Sequence, residues 1–337
     1  MNRTLIAATG MLVVAGLAWR LRPRNFPSFC NRTVLITGGS RGLGIELARR
    51  WVAEGARVGI GARTQADVHR AVESLADCHG EVLGMPCDVT NPQDVKRFIR
   101  AAADRWGGID VLVNNAGVIQ VGPIECMTLA DYRQAMETHF WGPLNTILAA
   151  LPYLRRSPSP RITNIASIGG KISVPHLVPY SASKFALVGL SEGLRSELAA
   201  SGILVTTVCP GLMRTGSPRN ATFKGRHREE YAWFSIADSL PGLTIDSGRA
   251  AQQIIEATRR GDAQLTISIP AKIAVRGHAF FPGLSAAMLA LTNSLLPRPG
   301  GIGTRAARGA ESESRWSPSW LTALSEQAAA RNLETNR

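Results

Sequence analysis

The sequence contains little cysteine, and its cysteines are poorly spaced for metal or disulfide chemistry. There are five in 337 residues, an odd number, and no two of them form a CxxC pair. Zinc sites draw on closely paired thiolates, and disulfide frameworks use even sets of cysteines in oxidising compartments. The composition therefore predicts no metal site and no disulfide scaffold, and it is typical of a reducing compartment.

Acidic residues are also scarce. Asp and Glu number 25 against 38 Lys and Arg, which leaves a formal net charge of +13. A basic excess of this size favours an anionic partner. The basic residues flank apolar stretches, and no recognised nucleic-acid-binding module is present. The sequence therefore predicts a membrane surface or anionic lipid as partner, and no nucleic acid.

Charge is absent from a short apolar run near the N-terminus. Residues 4–19 are uncharged, with Arg3 before them and Arg20 after them. Sixteen residues are marginal against the ~20 that cross a bilayer as a helix. Because the positive charge lies mainly after the run, we expect residues 1–30 to form an uncleaved anchor that leaves the catalytic domain facing the cytoplasm. A cleaved signal peptide and a soluble hydrophobic arm are the alternatives.

A second stretch without Lys, Arg, Asp or Glu covers residues 277–297. We interpret residues 271–298 as an apolar cap buried over a substrate pocket or as a membrane-interface helix. A true span is disfavoured by His278, Pro282 and Asn293. Residues 299–337 are rich in Gly, Arg and Ser, and they predict a polar, largely disordered tail.

Between these ends, short apolar runs alternate with helical patterns over residues 31–270. The alternation predicts an α/β fold, a doubly wound parallel sheet of the Rossmann type in one domain. Residues 212–245 break the alternation with mixed basic and aromatic residues, and we interpret them as a lid. Strands are expected near residues 34–37, 58–61, 82–85, 111–114, 162–165, 204–208 and 265–269.

A glycine-rich turn joins the first expected strand to a helix. Residues 38–44 read GGSRGLG directly after the apolar run 33–37. Glycine lets the backbone approach a pyrophosphate closely, and a helix N-terminus offers unpaired N–H groups. The turn therefore favours a dinucleotide phosphate site, although its GxxxGxG spacing also fits an ordinary strand–helix turn.

A tyrosine and a lysine four residues apart point to proton transfer. Tyr180 and Lys184 lie in the run YSASK, and Ser167 precedes the tyrosine by thirteen residues. Residues i and i+4 share one helix face, and a Lys⁺ beside a tyrosine is expected to lower the pKa of the phenol. A serine hydroxyl can hold the oxygen of a carbonyl or alcohol.

These two signatures, in this order, resemble the short-chain dehydrogenase/reductase family over about residues 31–270. The resemblance is strengthened by Asn114–Gly117, which reads NNAG, and by Pro210-Gly211. It implies hydride transfer between a nicotinamide cofactor and a substrate carbon, with Tyr180 as general acid/base, Lys184 lowering its pKa and Ser167 orienting the substrate. The residues that would contact the cofactor are Gly38, Ser40, Arg41, Gly42, Leu43, Gly44, Arg63, Asp88, Asn115, Ala116, Gly117, Tyr180, Lys184, Pro210, Gly211 and Thr215.

The choice of cofactor can be argued from charge. Nicotinamide enzymes that use NAD place an acid at the end of the second strand, about 20 residues past the glycines, to bind the ribose 2′-OH. Here that position reads Ala62-Arg63, and Arg41 lies inside the glycine turn. Arginine binds phosphate bidentately, so the sequence predicts NADP(H). The alternative is that both arginines are solvated surface residues.

One position departs from the family. Its members carry an Asn in a run like VNxxG, which anchors a water in a proton relay to the lysine. Here residues 138–142 read THFWG, so His139 stands at that position. Histidine can donate and accept hydrogen bonds. His139 therefore either keeps the relay or fills a polar helix position.

The function expected from these residues is an oxidoreductase that interconverts a ketone or aldehyde and an alcohol on a lipid-, sterol- or retinoid-like substrate. A homodimer or homotetramer is expected by analogy with the family. The alternative is a cofactor-binding regulator or a membrane-surface adaptor that uses the same scaffold without significant turnover.

Overall fold

A computed structural model of the chain describes residues 28–76, 78, 80–314, 317–319 and 322–335. Apart from residues 28–30, the predicted N-terminal anchor over residues 1–30 lies outside the described part of the chain. The expectation that it anchors the protein therefore stays a prediction.

A seven-stranded parallel sheet forms the centre of the molecule, with strand order β7-β6-β5-β4-β1-β2-β3. The predicted parallel sheet is confirmed, and each expected strand corresponds to one of the seven. The strands are β1 (Thr33–Thr37), β2 (Arg57–Ala62), β3 (Val82–Pro86), β4 (Val111–Asn114), β5 (Arg161–Ile165), β6 (Leu204–Pro210) and β7 (Gln264–Ile267).

Helices cover both faces of this sheet. They are α1 (Gly42–Ala53), α2 (Gln65–Glu73), α3 (Pro92–Trp106), α4 (Leu129–Met136), α5 (Gly142–Leu154), α6 (Val178–Glu197), α7 (His227–Ala237), α8 (Ser247–Arg260), α9 (Ile269–Phe280), α10 (Pro282–Leu295) and α11 (Ala323–Arg331). One π-helical turn, Glu137–Trp141, lies between α4 and α5.

Successive residues of each central strand pack into different layers, because side chains alternate across a sheet. Val34 and Ile36 of β1 join the apolar cluster beneath α1 and α8, whereas Leu35 joins the cluster beneath α3 and α5. All three are fully buried. This explains why the strand reads as a continuous apolar run, as strands covered on both faces do.

The register brings the carboxyl ends of the central strands to one edge of the sheet. Thr37, the last residue of β1, pairs with Gly61 of β2 and with Asn114 of β4. Asn114 in turn pairs with Asn164 of β5. Ligands of open α/β sheets bind outside this edge, and every candidate site residue follows or approaches it.

The described residues beyond position 299 pack against the domain, whereas the sequence predicted a largely disordered tail. Ala307–Arg308 pairs with Thr222–Phe223 in a small three-stranded sheet. Arg219 of the lid segment contacts Glu326 of α11 at 2.6 Å. Ala329 is fully buried. A low apolar content therefore did not mean disorder here, because the tail uses small and polar residues to dock.

The apolar stretch near residue 280 forms two helices, α9 and α10, joined at Phe281. No residue of α10 is buried, so the expectation of a buried cap is wrong for this helix. Within the described part of the chain, no helix is long and apolar enough to cross a membrane.

Candidate active site

Ser167 and the helix α6 meet at the carboxyl end of β5. The Ser167 Oγ accepts a hydrogen bond from the Gly169 N–H at 3.0 Å, which fixes the turn after the strand. A Cβ on Gly170 would lie 2.7 Å from the carbonyl oxygen of Lys184. The glycine therefore allows α6 to approach the turn, and this approach places Tyr180 and Lys184 beside Ser167.

The three predicted catalytic residues are brought together. Tyr180 and Ser167 lie side by side, because a Cβ on Gly169 would lie 3.1 Å from the Tyr180 ring and 3.4 Å from the Ser167 Oγ. The Lys184 Nζ donates to the carbonyl oxygen of Ile165 at 2.8 Å and lies 5.6 Å from the centre of the Tyr180 ring. The hydroxyls of Tyr180 and Ser167 and the amine of Lys184 thus converge at one edge of the sheet. Their catalytic roles stay predictions.

Burial controls the protonation of this group. It raises the pKa of Tyr180 to about 12, although the hydrogen bond from Ser167 acts in the opposite direction. It lowers the pKa of Lys184 to about 7. The expected lowering of the Tyr180 pKa by Lys184 is therefore not observed, since burial disfavours both charged forms. At neutral pH, Tyr180 keeps its proton.

His139 lies in the π-helical turn and packs edge-on against Tyr180, with 5.4 Å between the ring centres and 89° between the ring planes. Its Nε2 accepts from the Val118 N–H at 3.1 Å, and its Nδ1 lies 2.8 Å from the Ser183 Oγ. Ser183 donates to the Tyr180 carbonyl oxygen. This pattern assigns the ring proton to Nδ1.

The protonation of His139 also bears on the relay hypothesis. Burial, with the charge of Lys184, holds the pKa of His139 well below its usual 6.5. Both ring nitrogens are already committed to structural hydrogen bonds. These contacts favour the interpretation in which His139 fills a polar helix position, and they give no support to a proton relay through its ring.

The glycine turn is held against the end of β4. The Asn115 Nδ2 donates to the Gly38 carbonyl oxygen at 2.9 Å, and the Thr37 Oγ1 accepts from the Ala116 N–H at 3.2 Å. Gly38 has a φ of 62°, and a Cβ there would lie 2.7 Å from the Cα of Ala116. Gly117 packs against His139, whose Nε2 would lie 3.2 Å from a Cβ at that position.

The turn also fits a dinucleotide phosphate. The first N–H groups of a helix have no partner within it. In α1 the Gly42 N–H donates to the carbonyl oxygen of Asn332, which leaves those of Leu43 and Gly44 for an anion. Ser40 and Leu43 are buried beneath the turn. Close backbone approach and N–H groups together form the cradle that a pyrophosphate requires.

The remaining cofactor candidates surround this cradle. Asp88 uses its Oδ1 to accept from the N–H and hydroxyl of Thr90. Pro210 ends β6, and the Gly211 N–H donates to the Ile267 carbonyl oxygen at 3.2 Å. Thr215 is buried, with its Oγ1 accepting from the Ser217 N–H. All lie on segments that leave the same sheet edge.

The two predicted phosphate-binding arginines differ in their surroundings. Arg63 is exposed at the end of β2 and makes no hydrogen bond or ion pair with the residues that the structure describes. Arg41 donates to the Asn220 Oδ1 at 3.0 Å, and its Nε lies 3.7 Å from the Glu334 carboxylate. Arg63 is therefore a free guanidinium, whereas Arg41 is already engaged.

Sequence reasoning missed the contribution of the C-terminal tail to this site. Glu334 is buried between Arg41 and Asn220, whose Nδ2 also contacts the Glu334 carboxylate. Asn332 donates from its Nδ2 to the Thr215 carbonyl oxygen and to Ser247. Nothing in the local pattern of a polar tail indicates a contact with a turn some 290 positions earlier.

A second buried acid, Asp238, comes from the end of α7. It is 5% exposed, and burial raises its pKa to about 7 despite a hydrogen bond from the Met213 N–H and the charge of Arg214. Its charge is one of the influences that raise the pKa of Tyr180. The lid segment therefore adds a titratable group next to the proposed proton donor, which the sequence alone did not indicate.

Known proteins are similar to this chain in both sequence and fold. The family model described as short chain dehydrogenase matches residues 32–224. A putative ketoacyl reductase of Streptomyces coelicolor is 39% identical over 248 residues, covering 70% of this chain and 93% of that protein. Dehydrogenase/reductase SDR family member 7B of Danio rerio is 37% identical over 254 residues, covering 74% and 80%.

Two solved structures are similar to this chain in fold as well as in sequence. A short-chain dehydrogenase from Streptomyces avermitilis superposes with a TM-score of 0.64 at 32% identity, covering 78% of this chain and 98% of that one. An actinorhodin polyketide ketoreductase with NADPH superposes with a TM-score of 0.62 at 30% identity, covering 70% and 95%.

Replacing His139 tests whether its role is structural. His139→Phe removes the acceptor of the buried Val118 N–H and the partner of Ser183. We expect the free energy of unfolding to fall by about 1–3 kcal/mol, measured by urea denaturation. His139→Asn, which keeps polar atoms at this position, should lose less. A stable His139→Phe protein whose pH–rate profile changes shape would instead support the relay.

Replacing Glu334 tests the buried tail carboxyl. Burial raises the pKa of Glu334 from 4.5 to about 7. The folded state therefore binds this proton more tightly than the unfolded chain does, and the stability it contributes below pH 4.5 is lost as the pH rises to about 7. We expect the unfolding free energy of Glu334→Gln to fall less than that of the wild type between pH 5 and 8. Glu313→Gln, in an exposed part of the tail, is the matched control, and parallel profiles for all three proteins would contradict the assignment.

Proposed function

The chain belongs to the short chain dehydrogenase family, and on that premise we propose that it is an NADP(H)-dependent oxidoreductase that interconverts a ketone or aldehyde and an alcohol on a hydrophobic substrate. The observation that carries the proposal is the convergence of Ser167, Tyr180 and Lys184 at the carboxyl end of β5, where Lys184 is buried and the other two side chains are half-buried. The named relatives that reduce ketoacyl groups support a carbonyl as the reacting group.

The roles of the side chains follow from their protonation. The Ser167 hydroxyl holds the substrate oxygen, and the Tyr180 hydroxyl donates a proton to it. Because burial raises the pKa of Tyr180 to about 12, this donor is fully protonated at neutral pH. In reduction the phenol donates this proton to the substrate oxygen, and in oxidation the phenolate accepts it back. When bound, the nicotinamide supplies or accepts the hydride.

The preference for NADP(H) is supported by charge at the end of β2. Arg63 is exposed and free of ion pairs within the described chain, and Ala62 stands where an acid would repel a 2′-phosphate. Arg41, inside the turn, is a second cation near the same edge. Leu43, Gly44 and Asn115 are the residues that would bind the cofactor at its phosphate and nicotinamide ends.

A hydrophobic substrate is supported by the side chains around Tyr180. Ile119, Val174 and Trp233 pack with Tyr180 against the apolar cluster that the lid segment contributes. Within that cluster Phe223 and Tyr231 are fully buried and stack edge to face. Apolar walls with few polar groups are typical of pockets for lipid-like molecules.

We further propose that residues 1–30 anchor the protein, that the catalytic domain faces the cytoplasm and that the chain forms a homodimer or homotetramer. The rival function is a cofactor-binding regulator or membrane-surface adaptor, which would bind NADPH without turnover.

Tyr180→Phe separates the enzyme from its rival. Loss of the proton donor should lower NADPH oxidation with hydrophobic ketones by about 10²-fold or more, while NADPH binding measured by fluorescence stays near the wild-type value. Tyr153→Phe, at the opposite edge of the sheet, is the matched control. Wild-type protein that binds NADPH but reduces none of a panel of lipid ketones would favour the regulator.

Arg63→Ala tests the choice of cofactor. Removing a charge-assisted phosphate contact of ~1.5–3 kcal/mol should weaken NADPH binding about 10- to 100-fold and leave NADH binding unchanged. Arg100→Ala, at an exposed arginine of α3, controls for the loss of net charge. Tighter binding of NADH than NADPH by the wild type would contradict the proposal.

A further inference from the structure

The helices α9 and α10 form an apolar surface that the rest of the described chain leaves uncovered. We call them the apolar helix pair (269–295). Eight of its large apolar side chains are 62–80% exposed, among them Ile273, Phe280, Leu284, Met288, Leu291 and Leu295. α10 contains no charged residue and no buried residue. Exposed apolar patches of this kind mark interaction sites.

The charge around the pair has one sign. No Asp or Glu occurs between Asp262 and Glu311. Five basic residues lie in that interval, and all five are exposed: Lys272, Arg276, Arg298, Arg305 and Arg308. Lys272, Arg276, Arg298 and Arg305 form no ion pair with the described residues. The stretch without Lys, Arg, Asp or Glu, residues 277–297, is therefore flanked on both sides by cations that have no ion pair within the described chain.

We propose that the apolar helix pair inserts into one leaflet of an anionic membrane. Fourteen residues give α10 a length of ~21 Å, which is shorter than the ~30 Å hydrocarbon core of a bilayer. The helix can therefore be covered by acyl chains without crossing the membrane. Anionic headgroups can then be contacted by Lys272 and Arg276, which lie in α9, and by Arg298, which follows α10.

A lipid surface fits these observations better than a protein partner. A groove on a protein would cover one face of α10, but every residue of this helix except the half-buried Ser285 and Leu289 is exposed. Hydrocarbon covers every face at once. A second copy of the chain would bring two sets of five positive charges together, which opposes association.

This inference extends the proposed function, because it names where a hydrophobic substrate would be met. It does not rest on turnover, since membrane binding can be measured without substrate or cofactor. If the protein bound vesicles but reduced no ketone, the membrane proposal would stand and the proposed enzymatic function would be wrong.

The experiment uses the full chain with vesicles of phosphatidylcholine, alone or mixed with phosphatidylglycerol. The test variant carries Leu284→Asp, Met288→Asp and Leu291→Asp. The matched control carries Ile124→Asp and Leu129→Asp, two residues that are 61% and 72% exposed elsewhere on the surface. Circular dichroism and thermal unfolding confirm that each variant is folded, because all five side chains are exposed.

We expect the wild type and the control to float with anionic vesicles, and the α10 variant to partition at least about tenfold less. Because residues 1–30 are also expected to bind membranes, hydrogen–deuterium exchange of residues 282–295 provides a local readout. Anionic vesicles should slow exchange in this peptide for the wild type and the control. Unchanged exchange would overturn the proposal, and slowing that depends on protein concentration without vesicles would replace it with self-association.

Discussion

Burial of Tyr180 beside Lys184 at the end of the parallel sheet is the constraint on which the rest of the site depends. The hydrogen bond from the Lys184 Nζ to the Ile165 carbonyl oxygen ties α6 to β5, and Gly170 gives the space for that approach. The same burial suppresses charge throughout the group. Tyr180 holds its proton, His139 is neutral, and the pKa values of Lys184 and Asp238 are both moved to about 7. The phenol therefore holds its proton at neutral pH.

The motifs that can be recognised in the sequence are local. They predict the parts of the fold that depend on short-range geometry. The turn Gly38–Gly44, the pair Tyr180 and Lys184, and the apolar strands each carry their signal within a few residues. The direction of the Tyr180 pKa could not be read in this way. The sequence places a cation beside the phenol, but only the structure reveals that both groups lie in a medium where burial outweighs their attraction.

The two C-terminal segments were predicted as an apolar cap or membrane-interface helix and as a largely disordered tail, and they pack differently for a physical reason. The described residues beyond 299 dock because small side chains such as Ala329 fit close to Gly216, and because Arg219, Asn220 and Arg41 offer partners to Glu326 and Glu334. Within the described chain, no residue of α10 is buried against the domain, and the large side chains of this helix stay exposed. An expectation based on composition equates apolar residues with burial. It takes no account of the shape of the surface against which a segment packs.

The most direct test of this account is the titration of Tyr180 itself. The chain has four tyrosines, so carbon-13 labelling of the ζ carbons gives few signals, and Tyr180→Phe identifies the relevant one. The account predicts that the Tyr180 signal stays that of a protonated phenol from neutral pH to at least pH 10, with the Ser167 and Lys184 contacts in place. A Tyr180 signal that titrates below pH 8 would contradict it, because the phenol would then be activated by Lys184 and not protected by burial.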